Sequence, residues 1–448
     1  MNKMYHRRHV IKRGVSGLAG LAVFGLVGCE SSNTTSTASA TSGALNMLFW
    51  GSTTRDQLTK TTFDLFHKQN PAFTITSEYY GFDVYWNKLN ELIARGNTPD
   101  LIQMDMRYIA QYVRQKRLLD LTEIIYNQSI DLSDFDPLLL SSSKVNNTVY
   151  GIPLGGNYPS LFYDTEAVNK SGIGQPPENM NWDDFSAYTT ELTKGLGGSV
   201  YGTLDGSGEL TNFELWVRQR GKELYTREGH INFRQEDVGD WYNYWSKLRD
   251  ARGCLPYSIQ KGFDSSGTPS DSSMIKGKTV FLITHSNLFE AYQNGAHAVS
   301  PTRKLGMIEP PTGGNGASPG LYLKPSLLLS ISATTKYSQA AIKYTNFILN
   351  DVSAVKALGI ERGIPGSTKA TNLLKPQLST VQQTIAEYVF RLSNSENKTS
   401  VKAVLDPPGG GQVADLLKSI AHDIAGGKRS VSDGTQTFYT QAKKIVGG

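Results

Sequence analysis

Cysteine is nearly absent. The chain has two, Cys29 and Cys254, which excludes both a disulfide framework and a four-thiolate metal site. Net charge is also missing once the first 28 residues are set aside. Lys plus Arg total 45 against 40 Asp plus Glu, and the excess is Lys3, Arg7, Arg8, Lys12 and Arg13, all before the first acidic residue. The body that remains is neutral, so charge gives no case for a nucleic-acid-binding surface. No His-Glu-x-x-His occurs and the seven histidines show no ligand spacing, so neither metal nor cofactor is expected. No internal repeat recurs at a fixed period. What is present is length and apolar content: 448 residues, 39% hydrophobic and 10% aromatic, enough for roughly two to three domain cores and incompatible with wholesale disorder.

Nucleophile and phosphate motifs fail on inspection. Gly316-Ala317-Ser318-Pro319-Gly320 has the Gly-x-Ser-x-Gly spacing of a nucleophile elbow. The elbow needs a backbone N–H from the residue after the serine, and Pro319 has none. Gly277-Lys278-Thr279 ends like a phosphate loop, but Ser272 stands where the first glycine is required. Asp183 and Asp184 are neighbours whose side chains face apart on a helix, not a glycosidase pair. The chain therefore reads as a protein that is not an enzyme.

The N-terminus reads as an export signal. A basic stretch through Arg13 is followed by an apolar run over 15–27, shorter than the roughly 20 residues that cross a bilayer. It ends in Leu26-Val27-Gly28-Cys29, where small residues precede a cysteine, as in a bacterial lipobox. Arg7-Arg8-His9-Val10-Ile11-Lys12 resembles a twin-arginine export signal, with His6 and Val10 replacing the usual residues. Residues 1–28 are thus expected to be a signal peptide and Cys29 the lipidated residue. The Ser/Thr-rich segment 29–43 has nothing to bury and reads as a flexible tether. Cys254 is then a lone small packing residue.

In the body, 45–51 reads as a strand, the segment carrying Leu58, Phe63 and Phe66 as a helix, and 73–80 as a second strand. A helix follows with Trp86, Leu89, Leu92 and Ile93 on one face, then a short strand over 101–104. That β-α-β-α-β order implies parallel strands with crossover helices, hence an α/β lobe. Further on, Asn181 reads as an N-cap with Asp184 three residues later. Trp241 and Trp245 share a helical face, 279–283 reads as a buried strand, and Ser338 reads as the cap of another helix. The run Glu309-Pro310-Pro311-Thr312-Gly313-Gly314-Asn315-Gly316 is a hinge or crossover candidate.

Taken in order, several of these pieces carry a family resemblance. They are Phe49-Trp50-Gly51, Asn70-Pro71, Gly96-Asn97-Thr98-Pro99-Asp100-Leu101, Leu118-Leu119-Asp120-Leu121, Tyr150-Gly151-Ile152-Pro153, and Leu161-Phe162-Tyr163-Asp164. Asn181-Trp182-Asp183-Asp184-Phe185, Lys276-Gly277-Lys278-Thr279-Val280 and Arg362-Gly363-Ile364-Pro365 complete the series. Together with the leader, they resemble the extracellular solute-binding proteins of bacterial ABC importers, family 1, the maltose-type sugar binders. Trp50-Gly51 with Arg55, Asp83 with Tyr85-Trp86, and 97–108 are similar to binding proteins for pectin-derived and rhamnogalacturonan oligosaccharides. The resemblance implies an α/β fold of two discontinuous lobes joined by a hinge, of the periplasmic-binding-protein class II kind. The N-terminal lobe would be 44–152 plus 311–367, and the C-terminal lobe 153–310 plus 368–448. It further implies an oligosaccharide ligand, an ABC permease as partner, a membrane held through lipid on Cys29, and a monomer without cofactor.

Pyranose rings stack on aromatic faces and present hydroxyls that need paired donors and acceptors. In open α/β sheets ligands sit beyond the carboxyl ends of the strands. Those rules select Trp50, Gly51, Phe82 and Asp105, with Arg55 as a partner for a uronate carboxylate. From the crossovers and second lobe come Asn157, Tyr158, Trp216, His285, Ser286, Tyr322 and Arg362. The family's tryptophan is missing beside His285. Competing readings are a binder of a phosphorylated or other solute on the same fold, a surface-anchored carbohydrate-active enzyme, and a sensor or adhesion protein.

Overall fold

The computed structural model describes residues 40–263, 269–314, 317–393 and 404–447. The signal segment, Cys29 and Gly316 of the Gly-x-Ser-x-Gly run lie outside the described residues. The strands are β1 (Gly43–Trp50), β2 (Phe73–Tyr80), β3 (Leu101–Met104), β4 (Lys144–Val145), β5 (Thr148–Val149), β6 (Ile152–Asn157), β7 (Pro159–Asp164), β8 (Tyr201–Thr203), β9 (Thr279–His285), β10 (Leu305–Ile308) and β11 (Lys324–Ile331). They build a five-stranded sheet in the order β2-β1-β3-β11-β6, a four-stranded sheet in the order β10-β7-β9-β8, and the small β4-β5 pair.

The first sheet is covered on both faces, which is why its inner strands β1 and β3 are largely apolar while the edge strand β2 alternates. In β1, Leu45, Met47 and Phe49 pack with Phe63 and Phe66 of the Thr53–Gln69 helix. Leu48 points the other way, into a layer with Tyr85, Trp86 and Leu89 of the Phe82–Ala94 helix. β1 is parallel to β2 and β3, as the β-α-β-α-β order requires. β11 runs antiparallel to both β3 and β6. The Asp100 of the Gly96–Leu101 turn is structural: its carboxylate takes the Asn46 N–H at 2.9 Å and the Thr335 hydroxyl at 2.5 Å.

The second sheet buries Leu161, Phe162, Val280 and Phe281. Beyond it, four of the six tryptophans, Trp182, Trp216, Trp241 and Trp245, interlock with Tyr244 and Phe213. The Trp182–Gly195 helix opens with the full capping box of Asn181 and Asp184. Ser338, expected to cap a helix, is instead its first residue, and Tyr337 occupies the N-cap without a side-chain bond. Cys254 is buried in this core, and burial pushes its thiol pKa well up.

The chain passes between the sheets at Tyr158, between β6 and β7. It returns through 309–323. A third passage follows the backbone bridge of Ile364 to Gly156, before the Thr380–Ser393 helix, whose Tyr388 hydroxyl donates to the Pro159 carbonyl at 2.7 Å. The first sheet therefore keeps β6, residues that the expected boundary at 152 assigns to the other lobe. Gly363 sits at φ 95°, and a Cβ there would come within 2.9 Å of the Gly156 carbonyl. Only glycine accommodates both the left-handed backbone and this close approach.

Arg303 closes the second sheet. Its Nε donates to Asp164 at 2.7 Å and its two Nη groups donate to the Ile275 and Met274 carbonyls at 2.8 and 2.7 Å. Arg303→Ala removes the counter-charge of buried Asp164 and the donors to the Ile275 and Met274 carbonyls, so urea unfolding should show a loss of about 3–5 kcal/mol. Arg95→Ala, which breaks only the exposed pair with Glu91, should cost less than about 1 kcal/mol in the same assay.

Candidate functional site

One edge of the first sheet gathers groups from four strands. β1, β3 and β6 end there at Trp50, Met104 and Asn157, and antiparallel β11 begins there at Lys324, opposite Asn157. The second sheet brings His285, at the end of β9. The two edges are tied by Asn157 Nδ2 donating to Asn287 Oδ1 at 2.9 Å and by the Tyr158 N–H donating to Ser286 Oγ at 3.2 Å.

An aromatic shelf stands on the first-sheet side. The half-buried Trp50 packs against Phe82, Tyr85 and Trp86 with ring centres 5.3, 5.2 and 5.6 Å away. Trp86 is stacked on Tyr108 at 3.8 Å, and its Nε1 has no protein partner. Tyr108 in turn lies against the first turn of the Gly410–Ala425 helix, where a Cβ on Gly411 would come within 2.2 Å of its ring. The main chain beneath Trp50 is fixed: its carbonyl accepts from Arg55 Nη1 at 2.9 Å and from Gln103 Nε2 at 3.1 Å.

A charged network adjoins the shelf. Asp105 is buried, takes Lys324 Nζ at 3.1 Å and caps the Arg107 N–H at 2.9 Å. Burial opposes its ionisation, but the charges of Lys324 and Arg107 overcome this and hold its pKa below the usual carboxylate value. Arg107 reaches Asp406 at 4.0 Å. Burial, reinforced by Glu214 and Asp105 against the pull of Arg107, raises the Asp406 pKa to about 7. His285 is pushed down to about 3, first by burial and then by the Lys324 charge, and its Nε2 is unpartnered. Tyr322 donates to Glu214 at 2.6 Å beneath the guanidinium of Arg218, which pairs with Glu223.

Next to this network a cavity of about 340 Å³ opens between Asp83, at the start of the Phe82–Ala94 helix, and the ends of β8 and β9. Thr203, Asn212, Ser273, Thr284 and Trp245 line it, with Glu209 and Lys418. Its size and mixed lining suit a small glycan. A larger recess of about 640 Å³ lies at the start of β8 among Arg249, Arg252, Lys261 and Lys428. It contains no residue of the first sheet and lies away from the strand ends.

Of the residues selected from sequence, Trp50, Phe82, Asp105, Asn157, His285 and Tyr322 converge here, with Gly51 beside Trp50. Five do not. Arg55 donates from Nε to both Glu361 oxygens at 2.9 Å, so its charge is already compensated. Arg362 is buried beside that pair and donates to Thr59 at 2.6 Å. Tyr158 and Ser286 are spent on the connection between the sheets, and Trp216 is core, its Nε1 donating to the Asp237 carbonyl at 3.1 Å. Arg107 and Tyr108 were missed, although the strand-end rule that selects Asp105 reaches them as well. Lys324 was missed because β11 is antiparallel and brings its beginning to the site. Asp406 follows Leu405 and precedes Pro407-Pro408-Gly409, outside any described strand.

Residues 61–386 match the profile of a family described as bacterial extracellular solute-binding protein. A binding protein of Brucella abortus strain 2308 is 24% identical over 289 residues, which span 63% of this chain and 66% of that relative's length. Among solved structures, an extracellular solute-binding protein family 1 member from Alicyclobacillus acidocaldarius is 29% identical, with TM-score 0.63 over 91% of this chain and 99% of its own. A periplasmic oligogalacturonide-binding protein from Yersinia enterocolitica, solved with saturated digalacturonic acid, is 23% identical, with TM-score 0.79 over 90% and 98%. At that identity the likeness speaks for the fold.

The two shifted groups predict opposite pH slopes. His285 titrates near 3 in the folded chain against 6.5 for a free imidazole, so the unfolded state binds more protons between those values and stability falls as pH drops below 6.5. Asp406 titrates near 7 against 3.8, so its stabilising contribution is lost as pH rises from about 4 through 7. Between about pH 4 and 6.5 the two slopes offset each other, so thermal midpoints there should show His285→Gln exposing a fall in stability as pH rises and Asp406→Asn exposing a rise.

Proposed function

As the chain belongs to the bacterial extracellular solute-binding protein family, we propose that it is the substrate-binding component of an ABC importer. It captures an oligosaccharide of plant cell-wall type between its two sheets and delivers it to a membrane permease. The observation that carries this reading is the aromatic shelf of Trp50, Phe82, Trp86 and Tyr108 beside hydrogen-bonding groups that lack partners. Asn157 Oδ1, His285 Nε2 and Trp86 Nε1 are the chief examples. A sugar supplies what both need: C–H faces for the rings and hydroxyls for the unpaired groups. Closure over the ligand is favoured by the sugar's differential affinity for the closed form, and the closed surface is what the permease reads. The lobes meet at the passages around Tyr158, 309–323 and 364–379. The chain acts as a monomer, exported by its signal segment and held at the membrane by lipid on Cys29.

A hydrolase reading draws on one observation. Asp105 and Asp406 both face Arg107, and their pKa values are pushed apart, the pattern of an acid beside an ionised partner. Against it, Asp105 is already engaged by Lys324, and the family consists of binding proteins.

Thermal unfolding of residues 30–448 against a panel of plant oligosaccharides tests the binding role. A ligand at about 100 times its dissociation constant adds roughly 2.7 kcal/mol, and no new reducing ends should form on long incubation. Trp50→Ala should weaken that binding about tenfold through loss of ring stacking. Silence across the panel refutes the oligosaccharide assignment, and product formation revives the hydrolase. Cys29→Ala should move the protein from the membrane fraction to the soluble one.

A further inference from the structure

Among the described residues, the cations around the cleft are already matched by carboxylates of the chain. Lys324 is paired with Asp105 at 3.1 Å, and Arg107 lies between Asp105 and Asp406. Arg218 pairs with Glu223 and donates from Nε to the Gly320 carbonyl at 2.9 Å. Glu214 adds a further carboxylate, occupied only by the neutral Tyr322 hydroxyl among the hydrogen bonds described. In the adjoining cavity, Lys418 faces Asp83 and Glu209. On its own helix it also neighbours Asp415, three residues away. The residue that seemed suited to grip a uronate, Arg55, is held by Glu361.

We propose that the cleft selects an uncharged oligosaccharide and rejects its uronate counterpart, because a carboxylate entering it finds, among the described residues, native carboxylates in excess of the cations. This rests on the oligosaccharide reading and specifies its substrate class. A uronate would have to displace Asp105 from Lys324 or Asp406 from Arg107. Otherwise it would sit desolvated and unpaired beside Glu214, and either course is costly. A neutral sugar meets no such conflict. Its hydroxyls donate to the free lone pairs of these carboxylates and to Asn157 Oδ1, charge-assisted bonds that an uncharged ligand forms without adding charge to the site. Burial is the chief cause of the raised pKa of Asp406, and the charges of Glu214 and Asp105 add to it.

The test is titration calorimetry at pH 7.5 and low salt with matched pairs: galacto-, xylo- and arabino-oligosaccharides against di- and trigalacturonic acid. A neutral member should bind, and the uronates should bind at least about 100-fold more weakly, the consequence of juxtaposed like charges. Added salt should narrow the gap by screening. Glu214→Gln, and separately Asp406→Asn, should raise uronate affinity about tenfold or more, and two variants guard against one failing to fold. A uronate that binds as tightly as its neutral counterpart overturns the proposal and leaves the oligosaccharide reading intact. A cationic glucosamine oligomer that outbinds the neutral sugars also overturns it. If no member of the panel binds, both readings fall together.

Discussion

The ion pair between Lys324 and Asp105 is the interaction on which the site edge depends. Two opposite charges with little access to water must be well placed to be stable at all. Here the requirement fixes the end of β3 against the beginning of β11. Once those strands are in register, β6 is held on the far side of β11, and Asn157 falls opposite Lys324. Trp50 reaches the same edge through the parallel pairing of β1 with β3. The backbone N–H of Arg107 is capped by the other Asp105 oxygen, in a turn from which Arg107 reaches Asp406 and Tyr108 stacks on Trp86. One carboxylate thereby organises contributions from three distant parts of the chain.

The division of labour among the aromatic residues follows from the same geometry. Trp182, Trp216, Trp241 and Trp245 interlock beyond the second sheet, with Trp245 also reaching the cavity wall, and Trp50 and Trp86 stand at the first-sheet edge. The first group stabilises by buried area. The second is an edge-to-face cluster in which Trp86 is buried and Trp50 stays partly exposed, its main chain held from below by Arg55 and Gln103. A stacked ring contributes to recognition only if its position is paid for before the ligand arrives, and the Arg55–Glu361 pair does this at Trp50. Arg55 is therefore a support for the main chain beneath the shelf.

Much of the fold could be read from local pattern. The alternation over 73–80, the apolar run 101–104 and the Asn181 capping box are properties of short stretches, and each reappears in place. The site was legible where a strand of the first sheet ends, which selected Trp50, Gly51, Phe82 and Asp105, while Asn157 and His285 came from the crossovers and the second lobe. It was illegible where the decisive fact is long-range. Nothing within the neighbourhood of Arg55 announces Glu361, which lies 306 residues away. The strand order cannot be deduced from a run such as Lys324–Ile331 alone, so neither can the edge that Lys324 occupies. Trp216 looked available because a helix period cannot distinguish the inside of an aromatic cluster from the rim of a cleft.

The position of β11 in the first sheet also sets an order of events. Its partner on one side, β3, precedes it by more than 200 residues, and the Asp105–Lys324 contact closes a loop of 219. As the chain emerges amino-end first, β2, β1 and β3 can pair early, but β3 is left with an open hydrogen-bonding edge. The strands of the second sheet, which all lie before 309, can assemble while that edge waits. Closure of so long a loop is slow, and an unpaired apolar strand is the kind of surface on which chains aggregate. The most vulnerable moment in the life of this protein thus falls after its second sheet has formed and before its first is complete.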